Sequence, residues 1–247
     1  MGYTSTKHPS GILEIVYSNP PVNAHGIGAL DELSDLLENV ARDPDIAVVV
    51  LRSEGRGFSA GGDMSEMLDL EGHDGIIGQA KSGMRASLAI AECAAPVIAA
   101  VQGHCMGIGV LLAAVADIVV ASTDAYFVLA EIDFGATAGA IQAINLMPEK
   151  RLRAAMYSAE KVMASELERY GSMHAFVPRE DLAAKAMEVA AGIAAKSAVS
   201  VRAMKASING SVARSIRDNY RAEISYTYEL NMLGIAEAAR KAFLSRS

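Results

Sequence analysis

Apolar positions along this chain change period several times, and the changes outline an alternation of strands and helices. Residues 11–18 alternate closely enough for a strand, which Asn19-Pro20-Pro21 ends. Over residues 27–41, Leu30, Leu33, Leu36, Leu37 and Val40 recur at helical spacing and predict an amphipathic helix. Residues 46–51 form a continuous apolar run, the pattern of a strand covered on both faces. A helix is expected over 77–93, halted by Ala94-Ala95-Pro96. Residues 68–78 before it are polar and glycine-bearing and read as a loop. Short strands follow at 97–101, 118–122 and 126–130. From Leu146 to the end the pattern is helical, broken at Pro148, Gly171 and Pro178. Strand–helix–strand order around a doubly covered run points to an α/β fold.

Two glycine-rich turns interrupt this pattern directly after apolar strands. In the first, SEGRGFSAGGDMSEM at 53–67, glycines at 55, 57, 61 and 62 make a tight loop, and Asp63 is placed to cap a helix. Glu66, three residues on, is the expected reciprocal partner of a capping box. In the second, QGHCMGIG at 102–109, a glycine-broken turn opens a small-residue apolar helix. The first turn of a helix leaves backbone N–H groups unpaired at the positive end of its dipole, which suits a developing oxyanion.

Composition narrows the function classes. The 247 residues are 51% hydrophobic and 21% charged, enough for a large buried core. The net charge is -7 and no block of Lys or Arg stands out, which argues against nucleic acid as a partner. Two cysteines, Cys93 and Cys105, lie in apolar runs and are expected in the core of a protein from a reduced compartment, the cytoplasm. No run is long enough to span a membrane, and the N-terminus lacks the apolar centre of a signal peptide. The five histidines are scattered, so no metal site is expected.

Taken together and in this order, GFSAGGDMSEM (57–67), PVIAAVQGHCMGIG (96–109), ADIVVAS (116–122) and FVLAEIDFG (127–135) resemble the crotonase, or enoyl-CoA hydratase/isomerase, superfamily. The resemblance implies a crotonase-like spiral of ββα turns over residues 1–145, carrying an acyl-CoA site. It implies a helical C-terminal region over 146–247 that builds a homotrimer or a dimer of trimers. The thioester oxygen is then expected between the backbone N–H groups of Gly62 and Ile108, with Ala60, Gly61, Gly107 and Leu111 around the substrate. Coenzyme A is part of the substrate, and no separate cofactor is implied. Lys150, Arg151 and Lys241 are candidates for its phosphates, with the segment around Lys241 and Phe243 reaching a neighbouring subunit.

The acids depart from the family pattern. Family hydratases use two glutamates; the first position is Leu111 here, and the second is Glu131, with Asp133 as a possible helper. Within the family, YSNPPVNA, GSMHAFVPRE and YTYELNMLG resemble a branch from steroid-ring catabolism that opens cyclic β-keto acyl-CoA thioesters by adding water across a C–C bond. An ordinary hydratase or isomerase of fatty-acid-type thioesters is the alternative. A fold that binds CoA or RNA without turnover is a third, disfavoured by the acidic balance.

Overall fold

The computed structural model describes residues 2–71, 73–211 and 216–245. In chain order the elements are β1 (Gly2–Lys7), β2 (Ile12–Ser18), α1 (Ile27–Asn39), β3 (Val48–Ser53), α2 (Met64–Asp69), α3 (Asp74–Ala91), β4 (Val97–Val101), β5 (His104–Met106), α4 (Ile108–Val115), β6 (Ile118–Ser122) and β7 (Tyr126–Val128). After a 3-10 turn at Glu131–Phe134 come α5 (Ala140–Ala143), α6 (Glu149–Ser158), β8 (Val162–Met163), α7 (Ala164–Arg169), β9 (Ala175–Val177), α8 (Leu182–Ala194), α9 (Ala198–Ser211), α10 (Ile216–Met232) and α11 (Ile235–Leu244).

The main sheet has the order β1-β2-β3-β4-β6-β9, parallel except for β1 against β2. A small second sheet, β5-β7-β8, stands beside it. The period of two along β3 decides what each face meets. Val49 and Leu51 point into the larger core, with Leu30, Leu33 and Leu37 of α1 and Ile90 of α3. Val48 and Val50 point the other way, with Ile98, Ala100 and Val120, onto Leu182, Ala186 and Ala190 of α8. Burial on both faces is what the unbroken apolar run required.

Two cations, buried Lys205 and half-buried Arg202, fasten α9 to this body. Lys205 donates to Asp117 Oδ2 and to the carbonyls of Ile90 and Ala95. Arg202 donates to the carbonyls of Val40, Asp43 and Ile46 where α1 ends. Among the described residues, no helix is long and apolar enough to cross a membrane.

Several expectations need correction. Residues 2–7 form an edge strand that the pattern does not announce, because only Tyr3 of GYTSTK is buried. The purely helical reading from Leu146 onward is wrong at β8 and β9, which pair with β7 and β6 and complete both sheets. Each is two or three residues long, too short to show a period. The third strand runs Val48–Ser53 rather than 46–51, because Ile46 and Ala47 are held in the preceding turn by Asp43 O and Gly11 O. The loop expected at 68–78 is mostly helix: α2 reaches Asp69 and α3 starts at Asp74.

Candidate active site

The two glycine turns lie against each other. Ser59 bridges to Cys105, with Ser59 N donating to His104 O and Met106 N to Ser59 O. Gly109 brings α4 so near that a Cβ there would sit 2.5 Å from Ser59 Cβ. Gly61 (φ 102°) and Gly107 (φ 49°) adopt backbone angles that side chains resist, and a Cβ on Gly107 would lie 3.6 Å from Gly61 Cα.

In the first turn, His25 N donates to Gly61 O and Asp63 N donates to His25 O. The Gly61 carbonyl and the Gly62 N–H share one planar trans peptide, so they point in opposite directions. Anchoring the carbonyl on His25 therefore turns the Gly62 N–H away, and it has no protein partner among the described residues. In the second turn, Gly107 N donates to Val128 O, and the N–H of Ile108, the first residue of α4, also has no partner among the described residues. The Ile108 side chain leans on α3, its Cδ1 3.0 Å from where a Gly83 Cβ would be, and does not line the large cavity next to this turn, so it leaves the pocket open.

Asp63 caps α2, accepting from Ser65 N and Glu66 N. The reciprocal half of the capping box is absent: Glu66 Oε2 accepts from Ile27 N at 2.7 Å instead. Asp63 N is already spent on His25 O, so Glu66 is free to cap α1, whose own N-cap is Gly26 with no side chain to offer.

Glu131 opens the 3-10 turn after β7. Its Oε1 is 3.4 Å from the point a Gly107 Cβ would occupy, which sets the carboxyl at the junction of the two turns. The residue keeps some exposure, but Oε2 is sealed from solvent and has no hydrogen-bond partner among the described residues. Desolvation raises its pKa from 4.5 to about 7, opposed only by its own backbone N–H.

From Glu131 a cavity of about 500 Å³ extends toward α5 and α6, walled chiefly by Leu129, Ile132, Ile141, Leu152 and Met156. That volume lies within the range of ligand pockets, roughly 300–1,000 Å³. Arg153 and Glu149, paired at 2.8 Å, stand on its wall. Its wall at 136–141 is clamped from α10. Glu223 accepts from Gly139 N and Ile141 N, and Thr227 Oγ1 accepts from Thr137 N. Burial raises the Glu223 pKa against those backbone donors.

Gly61, Gly62, Gly107, Ile108 and Glu131 thus come together, with Ala60 on the same turn, Ala60 N reaching Asn23 O. Leu111 is buried beneath them, its Cδ2 2.6 Å from where a Gly139 Cβ would be. Asp133 is not brought in: it is exposed on the 3-10 turn and outside the cavity wall. Ile132 is 53% exposed, so it walls the cavity without sealing Glu131. Arg151 is committed to Glu160 and Glu166, and Lys241 to Glu237. The Phe243 side chain lies outside the described residues. Sequence reasoning missed Glu223 and Thr227, which are distant in the chain and carry no local motif, and His25, which looked like one of five scattered histidines.

Comparison with known proteins places this fold in a family. The enoyl-CoA hydratase/isomerase family model matches residues 7–244. A (7aS)-7a-methyl-1,5-dioxo-2,3,5,6,7,7a-hexahydro-1H-indene-carboxyl-CoA hydrolase from Rhodococcus jostii is 40% identical over 99% of this chain and 95% of its own. The hydrolase of the same name from Mycobacterium tuberculosis is 39% identical over the full length of both. The structure of an enoyl-CoA hydratase from Mycobacterium avium subsp. paratuberculosis superposes with a TM-score of 0.87 at 25% identity, covering 100% of this chain and 96% of that one. With its fold and nearly its whole length matched, the chain belongs to the enoyl-CoA hydratase/isomerase family, the crotonase superfamily.

Proposed function

We propose that this protein is an acyl-CoA hydrolase that opens a cyclic β-keto thioester by adding water across a C–C bond. The observation that carries the reading is the sealed Glu131 Oε2, at the junction of two backbone N–H groups and an apolar cavity, with neither Oε2 nor the two N–H groups partnered among the described residues. The Gly62 and Ile108 N–H groups hold the thioester oxygen, and the cavity beyond Glu131 takes the carbocycle. Both similar hydrolases are named for a bicyclic diketone bearing a carboxyl-CoA, a cyclic keto thioester.

The chemistry needs one carboxylate used twice. Glu131 deprotonates water, which attacks the ring ketone. The bond from that carbon to the thioester α-carbon breaks, and its electron pair becomes the enolate stabilised at the two N–H groups. Glu131 returns the proton to the α-carbon, and the former ketone carbon becomes a carboxylic acid on the same, now opened, chain. A carboxyl with a pKa near 7 suits both transfers at neutral pH. Paired-glutamate hydration lacks its second acid, since Leu111 cannot move a proton. Coenzyme A enters as part of the substrate, with no separate cofactor.

The C-terminal helices expose Met204, Ile208, Met232, Leu233 and Ile235, an apolar surface suited to burial in a homotrimer or a dimer of trimers. The test of the reaction is incubation with a cyclic β-keto acyl-CoA and with crotonyl-CoA, followed by mass spectrometry. The expected result is a ring-opened, water-gained thioester from the first and little hydration of the second. Efficient hydration of crotonyl-CoA with the cyclic thioester untouched would overturn it in favour of an ordinary hydratase.

A further inference from the structure

We infer that the buried side-chain series Tyr3–His25–Ser59 is a positioning network that holds the Gly61–Gly62 peptide in place as a thioester-oxygen donor. The inference rests on the acyl-CoA reading above and extends it to residues that touch no substrate.

His25 is 2% exposed and lies stacked on Tyr17, with ring centroids 4.1 Å apart. Its Nε2 is 2.9 Å from Tyr3 Oη and its Nδ1 is 2.9 Å from Ser59 Oγ, so both ring nitrogens are satisfied. Ser59 Oγ in turn accepts from Gly61 N at 3.1 Å. Burial lowers the His25 pKa to about 3, so the ring is neutral, with one donor nitrogen and one acceptor nitrogen. In one tautomer Ser59 donates to Nδ1 and Nε2 donates to Tyr3. In the other, Tyr3 donates to Nε2 and Nδ1 donates to Ser59. The series from the edge strand β1 to the Gly61 N–H is continuous either way.

The main chain of the same histidine closes the grip. His25 N holds Gly61 O at 2.8 Å, and His25 O receives Asp63 N at 3.0 Å and Gln79 Nε2 at 3.1 Å. The peptides on both sides of Gly62 therefore hang on one residue. Two successive glycines leave this stretch with little backbone stiffness of its own. A donor displaced by about 1 Å loses much of its effect on a transition state, so the outside constraint matters to chemistry as well as to fold.

The probe is acetoacetyl-CoA, a β-keto thioester whose bound enolate is read by ultraviolet absorbance across pH. Butyryl-CoA, read by calorimetry, reports thioester binding without enolate formation. The variants are Ser59→Ala, His25→Phe and the milder Tyr3→Phe, which keeps the ring and removes one hydroxyl. The expected result for Ser59→Ala and His25→Phe is roughly tenfold less enolate at a given pH, with butyryl-CoA affinity within about twofold of wild type. Tyr3→Phe shifts enolate formation in the same direction by less, and it keeps the test open should His25→Phe fail to fold. Wild-type enolate levels in the folded variants would overturn the inference. Equal losses of enolate and of butyryl-CoA binding would do so too, since that pattern marks general structural support. No enolate in the wild type would instead sink the acyl-CoA reading, and the positioning role with it.

Discussion

Replacing Glu131 with glutamine should stabilise the folded protein at alkaline pH while destroying its activity. Burial raises the Glu131 pKa from 4.5 to about 7, so the folded state holds this proton more tightly than the unfolded chain. Below about pH 4.5 the group is protonated in both states and contributes nothing to the pH dependence. Between about pH 4.5 and about 7 the unfolded chain ionises while the fold holds the proton, so stability falls; above about 7 the fold carries a desolvated carboxylate and the loss is complete. At about 1.4 kcal/mol for each unit of pH, the full penalty is about 3 kcal/mol, a ceiling because the residue keeps some exposure. Glutamine keeps the shape and never charges. Thermal melts at fixed protein concentration, at about pH 5 and about pH 8.5, read the effect. A chain of this size shifts by roughly 2–4 °C per kcal/mol, so Glu131→Gln should melt up to about 10 °C above wild type at the higher pH and close to it at the lower. The same variant should lose roughly 10²–10⁴ in kcat. Equal melting at about pH 8.5, or the same gain at both pH values, would refute the claim that a buried charge sets this pKa.

Other outcomes follow from the same geometry. In the proposed mechanism Glu131 acts first as a base, so kcat/KM should rise with pH through about 7 rather than through 4.5, as a pH–rate profile will show. Gly61→Ala should cost roughly 1–3 kcal/mol in a denaturant titration, and its cause is the φ of 102°, since the added Cβ comes no nearer than 3.5 Å to its neighbours. Glu66→Ala should destabilise by about 1 kcal/mol through loss of the cap on Ile27 N, with the first turn of α1 exchanging amide hydrogens faster. Light scattering at micromolar concentration should give a trimer or hexamer mass; a monomer would leave the exposed apolar surface of the C-terminal helices unexplained.

What the sequence made legible was what depends on local pattern. The unbroken run in β3, the spacing of Leu30, Leu33 and Leu37, and the glycines beside short strands all foretold elements and faces correctly. Gly62, Ile108 and Glu131 each sit in a motif, and the structure brings those motifs side by side. Groups recruited across the chain were not legible. Glu66 caps a helix 39 positions earlier, and Glu223 holds a loop 84 positions earlier, and neither spacing leaves a mark in a linear pattern. Tyr3 escaped notice because an edge strand buries one side chain in six. Asp133 went the other way: its place two residues after Glu131 suggested partnership, and the 3-10 turn points it to solvent instead.

The most direct test of ring-opening hydrolysis is where the oxygen of water goes. A cyclic β-keto acyl-CoA is turned over in heavy-oxygen water and the product is fragmented in a mass spectrometer. Ring-opening hydrolysis puts the label in the carboxylate formed from the ring ketone, with coenzyme A still attached and turnover by Glu131→Gln slower by roughly 10²–10⁴. Label in a thioester-derived carboxylate with free coenzyme A released, or in a new alcohol on an intact ring, would contradict it.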